Sequence, residues 1–206
     1  MKRCIFSLLV WMMAFTSLAQ AESWIQEAYY RSYSYEKIQD YDNALKTLMP
    51  VYQKYPEGYN VNLRFGWIYY LKGAYANALE HYQKSITAAP YSVTAKLGHT
   101  LPLMAQQKWE QVTQELYEVI NTDYYNYYGN LRLSYGLRMQ KKFDLAEKVI
   151  YKMLLIYPTD ISLLTELLLI RITNGQQSEA EKIATDLLIL DPENIIAKGF
   201  FQSNPN

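Results

Sequence analysis

The stretch NLRFGWIYY at residues 62–70, followed by ALEHY at 78–82 and by Pro90, decides the fold. Apolar residues in both segments recur three or four positions apart, which is typical of one face of an α-helix. The proline stops the second helix, because the residue before a proline is pushed out of the α region. The stretch therefore predicts two helices that are joined by a short connection and followed by a turn.

This pattern recurs along the chain with a period of 34 residues. Five positions share the phase of the alanine that begins ALEHY: Ala44, Ala78, Val112, Ala146 and Ala180. Twelve residues after each of these come Pro56, Pro90, Tyr124, Pro158 and Pro192. A fixed period of this length indicates stacked helix pairs, because one pair has apolar residues on two faces and cannot bury them alone.

The pattern resembles the tetratricopeptide repeat family, whose repeats follow W-x2-L-G-x2-Y, then A-x3-F, then P. The second repeat fits best, with Asn62, Phe65, Gly66 and Tyr69, then Ala78 and Tyr82, then Pro90; no repeat has the tryptophan. The resemblance implies an all-α, right-handed superhelical solenoid of about five helix pairs plus a short C-terminal capping helix. The solenoid is assigned to residues 22–206, with repeats at 25–58, 59–92, 93–126, 127–160 and 161–194 and the cap at 195–206.

The first 21 residues have the three parts of a secretory signal peptide. Lys2 and Arg3 form a positive start, residues 4–15 are almost all apolar, and Ala19-Gln20-Ala21 is an A-x-A cleavage site. The apolar run is shorter than the roughly 20 residues that span a bilayer. We therefore expect cleavage after Ala21, a periplasmic or secreted mature protein of bacterial type, and no stable membrane span after cleavage.

Charge and composition argue against nucleic acid as a partner. The 20 basic and 20 acidic residues cancel, and loss of the leader leaves 18 basic residues against 20 acidic ones. A chain without net positive charge has no long-range field that attracts phosphates. The single cysteine, Cys4, lies in the leader, so the mature chain has no thiolate for catalysis or metal binding.

Residues of the kind that carry catalysis do not assemble into a known motif. His81 and His99 are the two histidines, and neither belongs to an H-E-x-x-H pair. No G-x-S-x-G elbow, Walker loop or dinucleotide glycine fingerprint is present. The sequence therefore predicts a protein that is not an enzyme and has no cofactor or metal.

The resemblance also implies where a partner binds. In similar proteins, positions 2, 5, 6, 9, 12 and 13 of each first helix line a concave face that holds peptides or partner helices. Transferred by phase, the partner-binding residues are Tyr29, Tyr33, Arg64, Trp67, Tyr70, Tyr128, Arg132, Tyr135 and Arg138. The third and fourth repeats add Leu97, Leu101, Met104 and Leu131. Tyrosine, tryptophan and arginine are enriched in binding hot spots, and guanidinium groups grip carboxylates.

These residues favour a non-enzymatic scaffold or assembly factor of the cell envelope, which binds a protein or peptide partner with an acidic group. The alternative is a carbohydrate-binding accessory subunit of a polysaccharide export or envelope system. In that case Trp67, Tyr70, Tyr125 and Tyr128 would stack on sugars, since the run of tyrosines from Tyr124 to Tyr128 cannot all pack inward. End-to-end self-assembly of the solenoid, and rings that only fill space between helices, also stay open.

Overall fold

The computed structural model describes residues 24–203, and within these residues the chain forms eleven α-helices and no strand. The helices are α1 (24–37), α2 (Tyr41–Lys54), α3 (Tyr59–Leu71), α4 (Tyr75–Ala88), α5 (Val93–Ala105), α6 (Trp109–Thr122), α7 (Tyr127–Met139), α8 (Phe143–Leu154), α9 (Ile161–Thr173), α10 (Gln177–Leu190) and α11 (Ile195–Ser203). The leader with its cleavage site, and residues 204–206 of the cap, lie outside the described residues. Nowhere in 24–203 is a helix long and apolar enough to cross a membrane.

Helix pairs follow one another at the period seen in the sequence. The first helices α3, α5, α7 and α9 begin at Tyr59, Val93, Tyr127 and Ile161, each 34 residues after the one before. The second helices α2, α4 and α10 end just before Pro56, Pro90 and Pro192, and the residue before each proline has ψ between 64° and 89°, outside the α region. Asp123 has the same geometry at the end of α6, where Tyr124 replaces the proline.

The chain divides into two compact units, Met1–Pro90 and Tyr91–Asn206. In the first unit, α1 to α4 bury Ala44, Leu48, Phe65 and Ile68 among others. Gly66 lets α3 approach α4 closely, because a Cβ at this position would lie 2.8 Å from the ring of Tyr82. A larger residue at Gly66 would therefore force these two helices apart.

The second unit contains α5 to α11. Ser134 on α7 donates a hydrogen bond to the carbonyl oxygen of Ala146 on α8 at 3.2 Å, which keeps this pair close. The terminal core of Leu168, Ala180, Ala184 and Leu187 packs against Ala197 and Phe200 of α11. The predicted C-terminal capping helix is therefore present and covers the apolar face of the fifth repeat.

Asparagine stands where the repeat pattern has tryptophan, and it joins each inter-pair turn to the helix that follows. The side-chain amide of Asn62 donates to the carbonyl oxygens of Pro56 and Gly58 at 2.8 and 2.9 Å. Asn130 makes the same two bonds, to Tyr124 and Asn126, at 3.0 and 2.8 Å. Two hydrogen bonds from one buried amide hold the turn in place without the bulk of an indole.

Candidate functional site

The nine residues predicted to bind a partner fall into two groups. Tyr29 and Tyr33 lie on α1, and Arg64, Trp67 and Tyr70 lie on α3, all in the first unit. Tyr128, Arg132, Tyr135 and Arg138 lie on α7, in the second unit. Their role in binding stays a prediction, and the two groups are described separately.

Arg64 is buried and already has a carboxylate partner. Its guanidinium pairs with Glu36 and donates to the hydroxyl of Ser32 at 3.2 Å. It also lies 3.9 Å below the centre of the Tyr33 ring. Trp67 donates through Nε1 to the other carboxylate oxygen of Glu36 at 3.0 Å. The expectation that Arg64 offers an open charge to a ligand is therefore not supported, because Glu36 neutralises it inside the fold.

The aromatic side chains of this first group are only partly available. Tyr33 is half exposed, whereas Tyr29 is half-buried, and burial raises the pKa of its hydroxyl. The rings of Trp67 and Tyr70 are 5.7 Å apart and half-buried. Tyr33 is thus the one large exposed ring among these five residues.

Arg138 on α7 forms the corresponding ion pair in the second unit. Its Nε and one terminal nitrogen donate to the two oxygens of Glu166 at 2.9 and 3.1 Å, and both side chains are largely buried. The guanidinium lies 4.9 Å from the ring of Tyr135. Burial raises the pKa of Glu166, while the hydrogen bonds and charge of Arg138 act in the opposite direction. Like Arg64, Arg138 is neutralised by a carboxylate of the protein itself.

The two ion pairs occupy the same repeat positions with opposite charge order. Glu36 and Arg138 are position 12 of their first helices, while Arg64 and Glu166 are position 6 of the next first helix. Each pair therefore joins two stacked first helices across 28 residues. An aromatic ring at position 9, Tyr33 or Tyr135, lies against the guanidinium in both cases.

The second unit has an open groove with a volume of about 410 Å³. The groove is lined by Met104, Leu131, Arg132, Tyr135, Ile161, Ser162, Thr165, Glu166 and Leu169. Most of its wall is apolar, and the hydroxyls of Ser162 and Thr165 and the charged groups of Arg132 and Glu166 are the polar groups. Arg132 also donates to the carbonyl oxygen of Leu97 at 2.8 Å, which fixes its guanidinium at the groove wall.

The sequence prediction covered half of this groove. Met104, Leu131, Arg132 and Tyr135 come from the concave-face positions, and the structure brings these four together. The α9 wall, with Ser162, Thr165, Glu166 and Leu169, was missed because no concave residues were assigned to the fifth repeat. These four are positions 2, 5, 6 and 9 of α9, so the same phase rule would have found them.

The tyrosine run lies at the turn between α6 and α7, as predicted. Tyr124, Tyr125 and Tyr128 are each more than half exposed. Tyr127 is half-buried and donates its hydroxyl to Asp160 at 2.9 Å. The amino group of Lys152 lies 3.9 Å above the Tyr124 ring, and burial lowers the pKa of Lys152. Three rings are thus available at one place on the surface.

The two histidines have structural partners. His81 is buried, and its Nδ1 lies 2.8 Å from Oδ1 of Asn62. His99 is half-buried and lies 2.7 Å from a carboxylate oxygen of Glu115. Among residues 24–203, no three or more histidine or acidic side chains gather in a way that could hold a metal ion.

Comparison with solved structures identifies the fold. The chain is similar to the thermophilic TPR protein TTC0263 of Thermus thermophilus (14% identity, 87% of this chain and 97% of that one, TM-score 0.66) and to MamA (17%, 84% and 94%, 0.71). It is also similar to a tetratricopeptide repeat protein from Parabacteroides merdae (15%, 86% and 71%, 0.78). No protein family and no curated protein matches the sequence. The predicted fold class is confirmed: the chain has the all-α solenoid fold of tetratricopeptide repeat proteins.

Proposed function

We propose that the protein is a non-enzymatic interaction scaffold of the cell envelope, which holds a peptide segment of a partner protein in the groove of the second unit. The groove carries this proposal. Residues from α5, α7 and α9 converge on it, and its apolar walls suit aliphatic or aromatic side chains of a ligand. Its few polar groups can orient a peptide main chain. The envelope location rests on the leader pattern in residues 1–21.

The ion pairs limit how acidic the ligand is. Arg138 lies next to the groove but is bound in two places by Glu166, and Arg64 is paired with Glu36. Arg132 lines the groove and is the cation that we propose contacts an acidic group or C-terminus of the peptide. The ligand is therefore an apolar segment with at most one acidic contact.

Selection from a random peptide library tests this proposal. The mature chain is immobilised and compared with a Leu131→Glu, Leu169→Glu double variant, since both residues lie in the groove wall and are only half-buried. Enriched peptides should be apolar and should bind the double variant at least about tenfold more weakly. Lys148→Glu, an exposed change on α8, is the control and should bind as wild type does. Peptides that bind all three proteins alike would exclude the groove.

A carbohydrate ligand is the second candidate, and the three exposed tyrosines at the α6–α7 turn favour it. Rigid aromatic rings can stack on the apolar face of a sugar. A glycan array with the wild type and a Tyr125→Ala, Tyr128→Ala variant tests it. Glycan binding that is lost in this variant, without any selected peptide, would replace the peptide proposal.

A further inference from the structure

The second unit has two edges of very different character. Consecutive helices run in opposite directions, so the turns between pairs (123–126, 155–160 and 191–194) lie at one edge and the turns within pairs (106–108, 140–142 and 174–176) at the other. We name them the inter-pair edge and the intra-pair edge. Lys152, at the end of α8, donates to the carbonyl oxygen of Tyr124 at 3.0 Å, and Asn194 donates to Thr165 at 3.4 Å. These contacts connect the three inter-pair turns.

The inter-pair edge is apolar and exposed. Leu155, Ile189 and Ile195 are 87%, 74% and 79% exposed. Further exposed apolar or aromatic residues on this edge are Tyr124, Tyr125, Tyr128, Ile156, Tyr157, Ile161 and Leu190. The intra-pair turns consist of glutamine, lysine, asparagine and glycine, and Met139 is the exposed large apolar residue next to them. Exposed apolar surface gathered on one edge is typical of an interaction site.

The repeat itself shows that these aliphatic residues are not needed for folding. Leu155-Ile156 and Ile189-Leu190 stand at the positions that hold Gln53-Lys54, Thr87-Ala88 and Asn121-Thr122 in the first three repeats. Polar or small residues therefore close the same kind of helix end elsewhere in the chain. Since Leu155 and Ile189 lie mostly in solvent, packing does not explain their side chains.

The charges on the inter-pair edge indicate the kind of partner. Asp123, Asp160, Asp191 and Glu193 lie in its turns, and Asp160 and Asp191 also receive backbone hydrogen bonds there. These acids repel an anionic membrane, and they would face their own copies in a symmetric dimer through this edge. A sugar would stack on the tyrosines but would leave Leu155, Ile189 and Ile195 in water. A protein face that is apolar and rimmed with lysine or arginine satisfies both the apolar surface and the charge.

We propose that the inter-pair edge of the second unit docks a second partner protein, whose binding face is apolar with a basic rim. This surface is separate from the groove, so the protein joins two partners. The aliphatic residues of α8, α10 and α11 supply the contact area, and the acidic turns orient the partner.

Two experiments with one variant test this inference. In the edge variant, Leu155→Asn, Ile156→Thr, Ile189→Asn and Leu190→Thr place the third repeat's own pair at both sites. The first experiment uses a synthetic amphipathic peptide of leucine and lysine, with a leucine–glutamate peptide of the same pattern as control. The leucine–lysine peptide should bind wild type, bind the edge variant at least about a hundredfold more weakly, and weaken as salt rises.

The second experiment places a photo-cross-linking residue at 155 or 189 in producing cells, with 107 and 141 on the intra-pair edge as controls. A protein should be cross-linked from 155 and 189 alone. Purified, it should lose binding to the edge variant and bind the Leu131→Glu groove variant as it binds wild type. A failed groove therefore leaves this inference intact, and the reverse also holds.

Several results would overturn the inference. These are cross-links to lipid or to a second copy of the chain, no cross-link from either position, equal binding of the two peptides, and binding that the edge variant leaves unchanged. Binding of wild type, but not the edge variant, to phosphatidylcholine vesicles would assign the edge to a membrane instead. Thermal unfolding checks that the edge variant folds. If it does not, the single changes Leu155→Asn and Ile189→Asn replace it, each expected to weaken binding about tenfold.

Discussion

Acidification should destabilise the first unit through His81. The side-chain amide of Asn62 uses its nitrogen for two carbonyl groups, so its oxygen accepts a hydrogen bond from Nδ1–H of His81. The imidazole is therefore neutral, with its proton on Nδ1. It is buried against Phe65 and Tyr69, whose ring centres lie 5.0 and 5.3 Å away. Burial lowers the pKa of His81 from 6.5 to about 4, and the exposed neighbours Glu80 and Lys84 act in opposite directions.

The size of the effect follows from this pKa. A histidine with a lowered pKa in the folded state takes up its proton more readily when the chain unfolds. Stability is therefore constant above about pH 6.5, falls as the pH drops towards 4, and changes no further from this group below that. The loss amounts to about 2 kcal/mol at pH 5 and about 3 kcal/mol in full. For a repeat protein of this size, such a loss is a large part of the total free energy of unfolding.

Two measurements check this prediction. An NMR titration of the two imidazole rings, assigned with a His99→Gln variant, should give a pKa near 4 for His81. Denaturant unfolding at pH 7.5 and pH 5 should show the loss in wild type. The difference should shrink in His81→Val, which has the residue that stands at the matching position 149. A His81 ring that titrates near its ordinary value, or a variant with the full loss, would refute the reasoning.

Three further predictions concern packing, helix ends and charge. Gly66→Ala should destabilise by about 1–3 kcal/mol, because its Cβ would enter the Tyr82 ring, whereas Gly199→Ala, with no atom within 4 Å, should stabilise α11 by up to about 1 kcal/mol; thermal unfolding tells these apart. Ser92→Ala should cost about 1 kcal/mol in denaturant unfolding, since Ser92 accepts from the first turn of α5 at 3.1 Å, and Ser92→Gly should cost only a few tenths. Removing the carboxylate with Glu166→Ala should cost about 3–5 kcal/mol, and the exchange of Arg138 and Glu166 should restore at least half, because the first unit has the pair in that order; equal losses in both would contradict this.

Sequence periodicity predicted the helix pairs and part of the groove. The 34-residue phase carries information about which face of each helix is covered, because packing against the next pair repeats with it. For this reason Met104, Leu131, Arg132 and Tyr135 could be assigned to one surface before their contacts were known. The small residue at Gly66 and the exposed tyrosines at 124, 125 and 128 follow from equally local rules.

Pairing between repeats was harder to predict. The sequence shows Arg64 and Arg138 at groove positions, but their partners Glu36 and Glu166 lie 28 residues away in opposite directions. Only the stacking of first helices brings each pair together, and a buried arginine then prefers the protein's own carboxylate to an open site. The polarity between the two edges was also missed, since it appears only when turns are sorted by the edge at which they lie.

The most direct test of the proposed recognition surface is a map of backbone amide shifts as the library-selected peptide is added to the isotopically labelled mature chain. The largest shifts should fall on Met104, Tyr135, Thr165 and Leu169, around the groove of the second unit. Shifts confined to other surfaces, with these four unchanged, would contradict the assignment of the groove.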